Sequence, residues 1–119
     1  QKEGVVIEGY RALCDGKKFD HEVIVGIAEK CNRSPGQVLG KFCLQGGIVP
    51  ILKSTRVERM MENCDLDGWE IEEEDMARLK GLTDVANLER FEMLYRKCVN
   101  RDTPLDGSLE GVKMKITVK

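Results

Sequence analysis

Four polar residues with the chemistry to bind a phosphate follow a short apolar run in the middle of the chain. Lys53 and Ser54 come directly after that run, and Arg59 and Asn63 follow, four positions apart. A strand that ends in Lys-Ser and leads into a helix from about Arg56 brings together a cation, a hydroxyl group and unsatisfied backbone N–H groups, which can hold a phosphate. The spacing of Arg59 and Asn63 places both on one face of that helix.

A simpler interpretation of these residues stays open. Lysine, serine and arginine after a buried strand most often form a solvated loop, and composition alone favours that alternative. The apolar run itself, residues 48–52, is typical of a strand that is buried on both faces of a sheet. The residues therefore predict a strand, a polar loop and a helix. Anion binding by the loop is the more specific of the two hypotheses, and a solvated loop without a ligand is the other.

No catalytic constellation can be placed in the sequence, and no metal site is expected. The chain has no Gly-x-Ser-x-Gly motif, no cysteine that a sequence motif combines with a histidine, and no pair of carboxylates at a spacing suited to acid–base catalysis. The acidic run 72–75 falls in a predicted first helical turn, where it complements the helix dipole without a metal. His21, the single histidine, is expected at the surface in the first turn of another helix.

The composition is that of an ordinary globular protein. Of the 119 residues, 41% are hydrophobic and 34% are charged, and the net charge of −2 gives no basic field for nucleic acid. No apolar run approaches the roughly 18 residues that a membrane span requires. Five cysteines without a Cys-x-x-Cys pair indicate a reducing compartment inside the cell, either the cytosol or an organelle matrix or stroma. Residues 1–4 do not resemble a signal peptide, and the chain can be the processed part of a longer one.

Two strands with helices between them are predicted in the first part of the chain. Segment 5–10 predicts one strand and segment 48–52 the other. A helix is expected over 21–31 with Asp20 as its N-cap, and residues 34–37 form a capping box with proline at the first helical position of the next helix. The roughly 40 residues between the strands predict parallel pairing through a right-handed crossover that holds two helices.

Further elements are predicted in the last part of the chain. One helix is expected from about residue 72 to Gly81, and another over about 83–99, where apolar residues recur at spacings of three and four. Segment 100–111 is rich in turn residues. Segment 112–118 alternates apolar and polar residues and predicts an amphipathic strand, which either packs on its own domain or adds to the sheet of a partner protein.

Several separate landmarks, in register over about residues 4–82, make the chain resemble the aldo-keto reductases. The order of polar residues from Lys53 to Asn63 is similar to the coenzyme-binding segment of that family. Segment 27–39 resembles the family's seventh helix and the turn after it, and segment 71–82 resembles its last barrel helix.

The resemblance implies an α/β fold that is part of a (β/α)8 TIM barrel. Residues 1–82 would be the C-terminal half of the barrel, with its last two parallel strands and their helices. Residues 83–119 would be a C-terminal extension that holds an extra helix and a possible edge strand.

The cofactor that the resemblance implies is NADP(H). In the family, residues at matching positions bind the 2′-phosphate and the adenosine end of the cofactor; the resemblance assigns this role to Lys53, Ser54, Arg59 and Asn63. A tyrosine of the family stacks on the nicotinamide ring, and the resemblance assigns this role to Tyr10. The chain departs from the family after Tyr10, where Arg11-Ala12-Leu13 replaces the common Ser-Pro-Leu. That departure leaves the usual pyrophosphate contact open, although Arg11 can itself reach a phosphate.

Two functions follow from the resemblance. The family reduces carbonyl groups by hydride transfer from NADPH, with a Tyr, Lys, Asp and His from earlier strands, and none of these four can be placed here. The chain is therefore expected to be the coenzyme-binding part of a reductase that needs its missing N-terminal half. The alternative is an inactive, reductase-derived accessory subunit of a larger protein assembly, which we favour if the 119 residues are complete.

Overall fold

The computed structural model describes residues 3–83, which form two strands and four α-helices. The strands are β1 (Ile7–Tyr10) and β2 (Ile48–Ile51), and a short 3-10 turn, Cys14–Gly16, follows β1. The helices are α1 (Glu22–Cys31), α2 (Pro35–Gln45), α3 (Val57–Cys64) and α4 (Glu73–Gly81). None of these helices is long and apolar enough to cross a membrane. The strand expected over 112–118, and all but the first residue of the helix expected over 83–99, lie outside the described residues.

The two strands pair in parallel, as their spacing predicted. Ile7 lies beside Ile48 at one end of the ladder, and Tyr10 lies beside Ile51 at the other. Helices α1 and α2 connect the strands, because parallel pairing requires a long crossover. The strands approach closely at Gly9, where a Cβ atom would lie 3.0 Å from Cγ2 of Ile48. The described residues are thus α/β with a small parallel sheet, consistent with part of a (β/α)8 barrel.

The prediction that segment 48–52 is buried on both faces is wrong for the described part of the chain. Val49 and Ile51 are 45% and 50% exposed, whereas Ile48 and Pro50, which alternate with them, are half-buried. Helix α2 packs against β2. A strand is buried on both faces only when a layer covers each face, and residues 3–83 supply one layer.

The hydrophobic core lies among helices α1, α2 and α4 and the segment before α4. Apolar residues recur at helical spacing on these helices, so that each helix presents one apolar stripe to the others. The buried members of the core are Ile24, Ile27, Ala28, Val38, Ile71, Met76 and Leu79. Phe42 and Trp69 pack against its edge. This layer of helices supports the sheet and the loops that follow the strands.

The N-cap of α1 is His21 and not Asp20, which corrects the prediction. His21 has extended backbone angles, and its Nδ1 accepts a hydrogen bond from the N–H of Val23 at 3.3 Å. Aspartate is the better capping residue in general, but the cap must be the residue directly before the first helical one, and α1 begins at Glu22. The single histidine is therefore half-buried and has a structural role.

The predicted capping box at the start of α2 is confirmed. The N–H of Gln37 donates to the Ser34 hydroxyl at 3.3 Å, and the Gln37 side chain accepts from the N–H of Ser34 at 3.0 Å. Pro35 occupies the first helical position, and Gly46 is the C-cap. Local sequence signals thus place both ends of α2.

Candidate functional site

A cleft of about 760 Å³ opens at the edge of the sheet where both strands end. Because β1 and β2 are parallel, the loops that follow them meet at this edge. The cleft is lined by the loop after β1, the last residue of β2 with the segment 52–54 after it, several residues of α3 and the first residues of α2. It is large enough for a nucleotide-sized ligand.

The structure brings the four polar residues of the predicted phosphate site together in this cleft. Lys53 and Ser54 line it from the segment after β2, and Arg59 and Asn63 line it from α3. Arg59 belongs to the first turn of α3, and Asn63 is the residue before its last one. The four-residue spacing therefore puts both side chains on one wall of the cleft, while their ligand remains a prediction.

Ser54 shapes the segment that carries Lys53. Its hydroxyl accepts a hydrogen bond from the N–H of Arg56 at 3.1 Å and lies 3.3 Å from the Arg56 carbonyl oxygen, to which it can donate. This local turn sets the position of Arg56, the N-cap of α3. The Arg56 side chain makes no capping hydrogen bond, so it leaves the first N–H groups of α3 free for another acceptor.

The cleft carries cations that have no acidic partner within residues 3–83. Lys53, Arg56 and Arg59 take part in none of the ion pairs of this part of the chain. Of the three acidic residues that line the cleft, Asp15 lies 4.0 Å from Arg11, whereas Glu58 and Glu62 form no ion pair within residues 3–83. The hydrogen bond that Glu62 accepts from the neutral Ser34 hydroxyl does not offset its charge, so three unpaired cations face two unpaired carboxylates. Unpaired positive charge therefore exceeds unpaired negative charge, which favours an anionic ligand.

Arg56 is a site residue that the sequence pattern did not single out. It lies between Ser54 and Arg59 in the sequence and lines the same cleft. The signal that could have identified it is its position directly before a helix, where a cation adds to the field of the free N–H groups.

Polar contacts position α3, which has no buried residue. The Ser34 hydroxyl donates to Glu62 at 3.2 Å, and the Gln37 amide donates to the carboxylate of Asp65, the C-cap of α3, at 3.1 Å. Arg33 also donates to Asp65 and forms an ion pair with it. Each contact joins residues at least 28 positions apart, so no local pattern could have predicted them.

Tyr10 lies at the same edge of the sheet but does not line the cleft. It is the last residue of β1 and is 57% exposed. Arg11, the next residue along the chain, does line the cleft. Its contact with a nicotinamide ring stays an expectation from the resemblance.

The sequence is similar to curated reductases over about two thirds of its length. It is 39% identical over 80 residues to glyoxal reductase of Bacillus subtilis, covering 67% of this chain and 29% of the relative. It is 34% identical over 96 residues to the NAD(P)H-dependent D-xylose reductase of Aspergillus niger, covering 69% of this chain and 30% of that one. No family model matches the sequence.

The fold is similar to solved aldo-keto reductase structures. Gox0644 in its apo form has a TM-score of 0.68 and 33% identity, covering 71% of this chain and 31% of that protein. A variant of Gox0644 in complex with NADPH has a TM-score of 0.68 and 32% identity over 72% of this chain. An aldo/keto reductase from Brucella melitensis has a TM-score of 0.64 and 26% identity.

The chain spans about 30% of the length of the relatives that it matches. Within that span, the sequence comparison and the structure comparison both match the chain to reductases. The chain is therefore related to the aldo-keto reductase family.

Proposed function

We propose that the cleft binds the adenosine end of NADP(H), with the 2′-phosphate beside Lys53 and Arg59. The observation that carries the proposal is the convergence of unpaired cations beside the first turn of α3. A phosphate is held where cations and N–H donors meet. The relationship to NAD(P)H-dependent reductases supports NADP(H) as the ligand.

Each polar residue of the cleft has a distinct task in this proposal. Lys53 and Arg59 neutralise the charge of the phosphate, and the planar guanidinium can donate two parallel hydrogen bonds to it. Ser54 fixes the loop through its hydrogen bonds to the backbone two residues further on. Asn63 offers an amide that donates and accepts at the adenosine. The bound cofactor supplies a hydride, and resemblance assigns Tyr10 to its nicotinamide ring.

We further propose that carbonyl reduction needs the family's Tyr, Lys, Asp and His from other strands of a barrel. These strands lie on the same polypeptide or on a second chain. In the complete site the carbonyl carbon gains the hydride and its oxygen gains a proton, which gives an alcohol and the oxidised cofactor. The reducing compartment expected from the cysteines is part of this proposal.

An inactive accessory subunit of a protein assembly is the second candidate. It is favoured by the change from the family's Ser-Pro-Leu to Arg11-Ala12-Leu13. In this candidate a partner protein covers Val49 and Ile51, which are exposed here. Cofactor binding discriminates the two candidates, because a purely structural subunit has no need of it. Turnover of a simple aldehyde by the native assembly would then identify the reductase.

The test is a fluorescence titration of the chain with NADPH and with NADH, which lacks the 2′-phosphate. We expect NADPH to bind at least about 10-fold more tightly, because charge-assisted hydrogen bonds to one phosphate each contribute on the order of a factor of ten. Lys53→Met and Arg59→Met should each weaken NADPH binding about 10-fold and leave NADH binding nearly unchanged.

Lys80→Met is the matched control, because Lys80 is an exposed lysine of α4 that does not line the cleft. It should leave both affinities unchanged. Equal binding of NADPH and NADH, or an equal effect of all three substitutions, would contradict the phosphate site. Absence of binding to either cofactor would favour the accessory subunit.

A further inference from the structure

Asp65 is an acidic residue at the end of α3 where negative charge is unfavourable. It is the C-cap of the helix, and the free carbonyl groups of the last turn give that end a partial negative charge. A carboxylate there costs stability unless other groups compensate it. Asp65 does not line the cleft, so it has no direct contact with a ligand that binds there.

Three residues from outside α3 converge on Asp65. Arg33 donates a hydrogen bond to its carboxylate and forms an ion pair with it. The Gln37 amide donates to the carboxylate and to the backbone carbonyl oxygen of Asp65, each at 3.1 Å, and the indole N–H of Trp69 donates to that carbonyl oxygen at 3.3 Å. A single exposed ion pair contributes little to stability, but four hydrogen bonds that converge on one residue restrict its position.

The residues that donate to Asp65 are themselves held in place. The Arg33 guanidinium lies over the Trp69 ring, 5.2 Å from its centroid. Gln37 is 6% exposed, and its side-chain oxygen accepts a hydrogen bond from the N–H of Ser34 at 3.0 Å. Ser34 lines the cleft from the start of α2, and α3 lines it from another side. The Gln37 side chain therefore connects two walls of the cleft.

Helix α3 depends on these polar contacts because none of its residues is buried. Val57 and Met61, which share one face of the helix, are 67% and 70% exposed. The contacts near the C-terminal end of α3 therefore help to determine where its first turn lies. That turn carries Arg59, which lines the cleft together with Lys53 from the segment after β2.

We infer that Asp65 is a positioning residue of the phosphate site, which places Arg59 and Asn63 in the cleft through the contacts at the end of α3. The inference rests on the proposed function and adds a residue that controls affinity from outside the cleft. Without the carboxylate, α3 occupies its binding position for a smaller fraction of the time, and the apparent affinity falls in proportion. Charge alone predicts the opposite, because removal of a negative charge favours an anionic ligand.

The test is isothermal titration of the 119-residue chain and its Asp65→Asn variant with adenosine 2′-monophosphate. We expect the substitution to weaken binding about 5-fold, as when the binding position is occupied about one fifth of the time. Asp67→Asn is the matched control, because it removes the same charge from an exposed side chain without an ion pair in residues 3–83. It should change the affinity less than about 2-fold.

The same titration in an Arg59→Met background separates positioning from a general loss of folded protein. A smaller folded fraction would weaken binding equally in both backgrounds, whereas a displaced α3 matters mainly while Arg59 is present. Asp65→Asn should therefore weaken binding less than about 2-fold further when Arg59 is already replaced.

Four results decide the matter. Unchanged or tighter binding with Asp65→Asn, equal weakening with Asp67→Asn, or equal weakening in both Arg59 backgrounds would overturn the inference and leave the phosphate site intact. Failure of the unmodified chain to bind adenosine 2′-monophosphate would overturn the proposed function and this inference together.

Discussion

Asp75 is a buried carboxylate that two cations hold in place. Its side chain is 4% exposed and accepts hydrogen bonds from Nζ of Lys30 at 2.8 Å and from Nη1 of Arg78 at 2.9 Å. The hydrogen bond from Lys30 is the main cause that lowers the pKa of Asp75 below its usual value. Burial of the carboxylate acts in the opposite direction and raises this pKa, and the hydrogen bond from Arg78 lowers it further. Hydrogen bonds to Asp75 and Glu72 likewise raise the pKa of Lys30. The cluster ties α1 to α4.

We predict that Asp75→Asn lowers the free energy of unfolding by about 2 kcal/mol at pH 7, since hydrogen bonds to charged groups are worth about 1.5–3 kcal/mol. The folded-state pKa is lowered, so this stability is present above the unfolded-state pKa of about 4 and is lost as the pH falls through the folded-state value. The difference between the two chains should therefore shrink below about pH 4. Urea unfolding, followed by fluorescence of the single tryptophan, measures it.

Glu74→Gln provides the control, because Glu74 is an exposed neighbour in the same helical turn without an ion pair in the described residues. It should change the free energy of unfolding by less than about 0.5 kcal/mol. A loss with Asp75→Asn that is no larger than this, or that stays constant down to pH 3, would contradict the account of the cluster.

The burial of Asp75 could not be read from the sequence. The acidic run 72–75 correctly indicated a helix start, because charges near a helix end act locally. The partner that makes Asp75 different from Glu74 is Lys30, which lies 45 positions away. Packing of α1 on α4 brings the two together.

At the scale of elements, the start of α2 combines a local cap with a contact to α3. The Ser34 hydroxyl accepts from the N–H of Gln37 and donates to Glu62 on α3. The same side chain thus closes the first turn of α2 and anchors the helix that carries Arg59 and Asn63. A change at Ser34 should therefore affect both stability and the cleft.

We predict that Ser34→Ala lowers the free energy of unfolding by about 1 kcal/mol, the usual cost of losing an N-cap side chain. Chemical denaturation at pH 7 measures the loss. Ser54→Ala is the comparison, because its hydroxyl bonds only within an exposed loop and its removal should cost less. If the two substitutions were equally costly, the cap would not have the role assigned to it.

Local signals decided which elements could be predicted. The capping box at Ser34, the stop at Gly46 and the parallel pairing of the strands depend on adjacent residues or on spacing, and all three are present. The predicted N-cap of α1 was wrong, because residue preference alone could not decide between Asp20 and His21. For the cleft, the sequence showed the order of the polar residues from Lys53 to Asn63, but it did not show the contacts that position α3.

At the scale of the whole molecule, one face of the sheet is open within the described residues. Val49 and Ile51 of β2 lie on that face beside Glu8 and Tyr10 of β1, and all four side chains are exposed. Parallel sheets are normally covered on both faces. We expect further strands and helices of a reductase barrel, or a partner protein in their place, to cover this surface.

We therefore predict that the native protein is larger than 13.4 kDa, the mass of the 119 residues, or that it belongs to a complex with other chains. Intact mass measurement of the protein purified from its source, together with any co-purifying chains, tests this. A single species of 13.4 kDa without a partner would contradict the expectation.

The phosphate site at the end of β2 is the central claim, and amide chemical shifts test it most directly. A ¹⁵N-labelled chain is titrated with adenosine 2′-monophosphate, and the shifts of assigned backbone amides are followed. The account predicts saturable shifts that centre on residues 53–59 and weaken in Lys53→Met. Shifts that centre on α4, or no shifts at all, would contradict it.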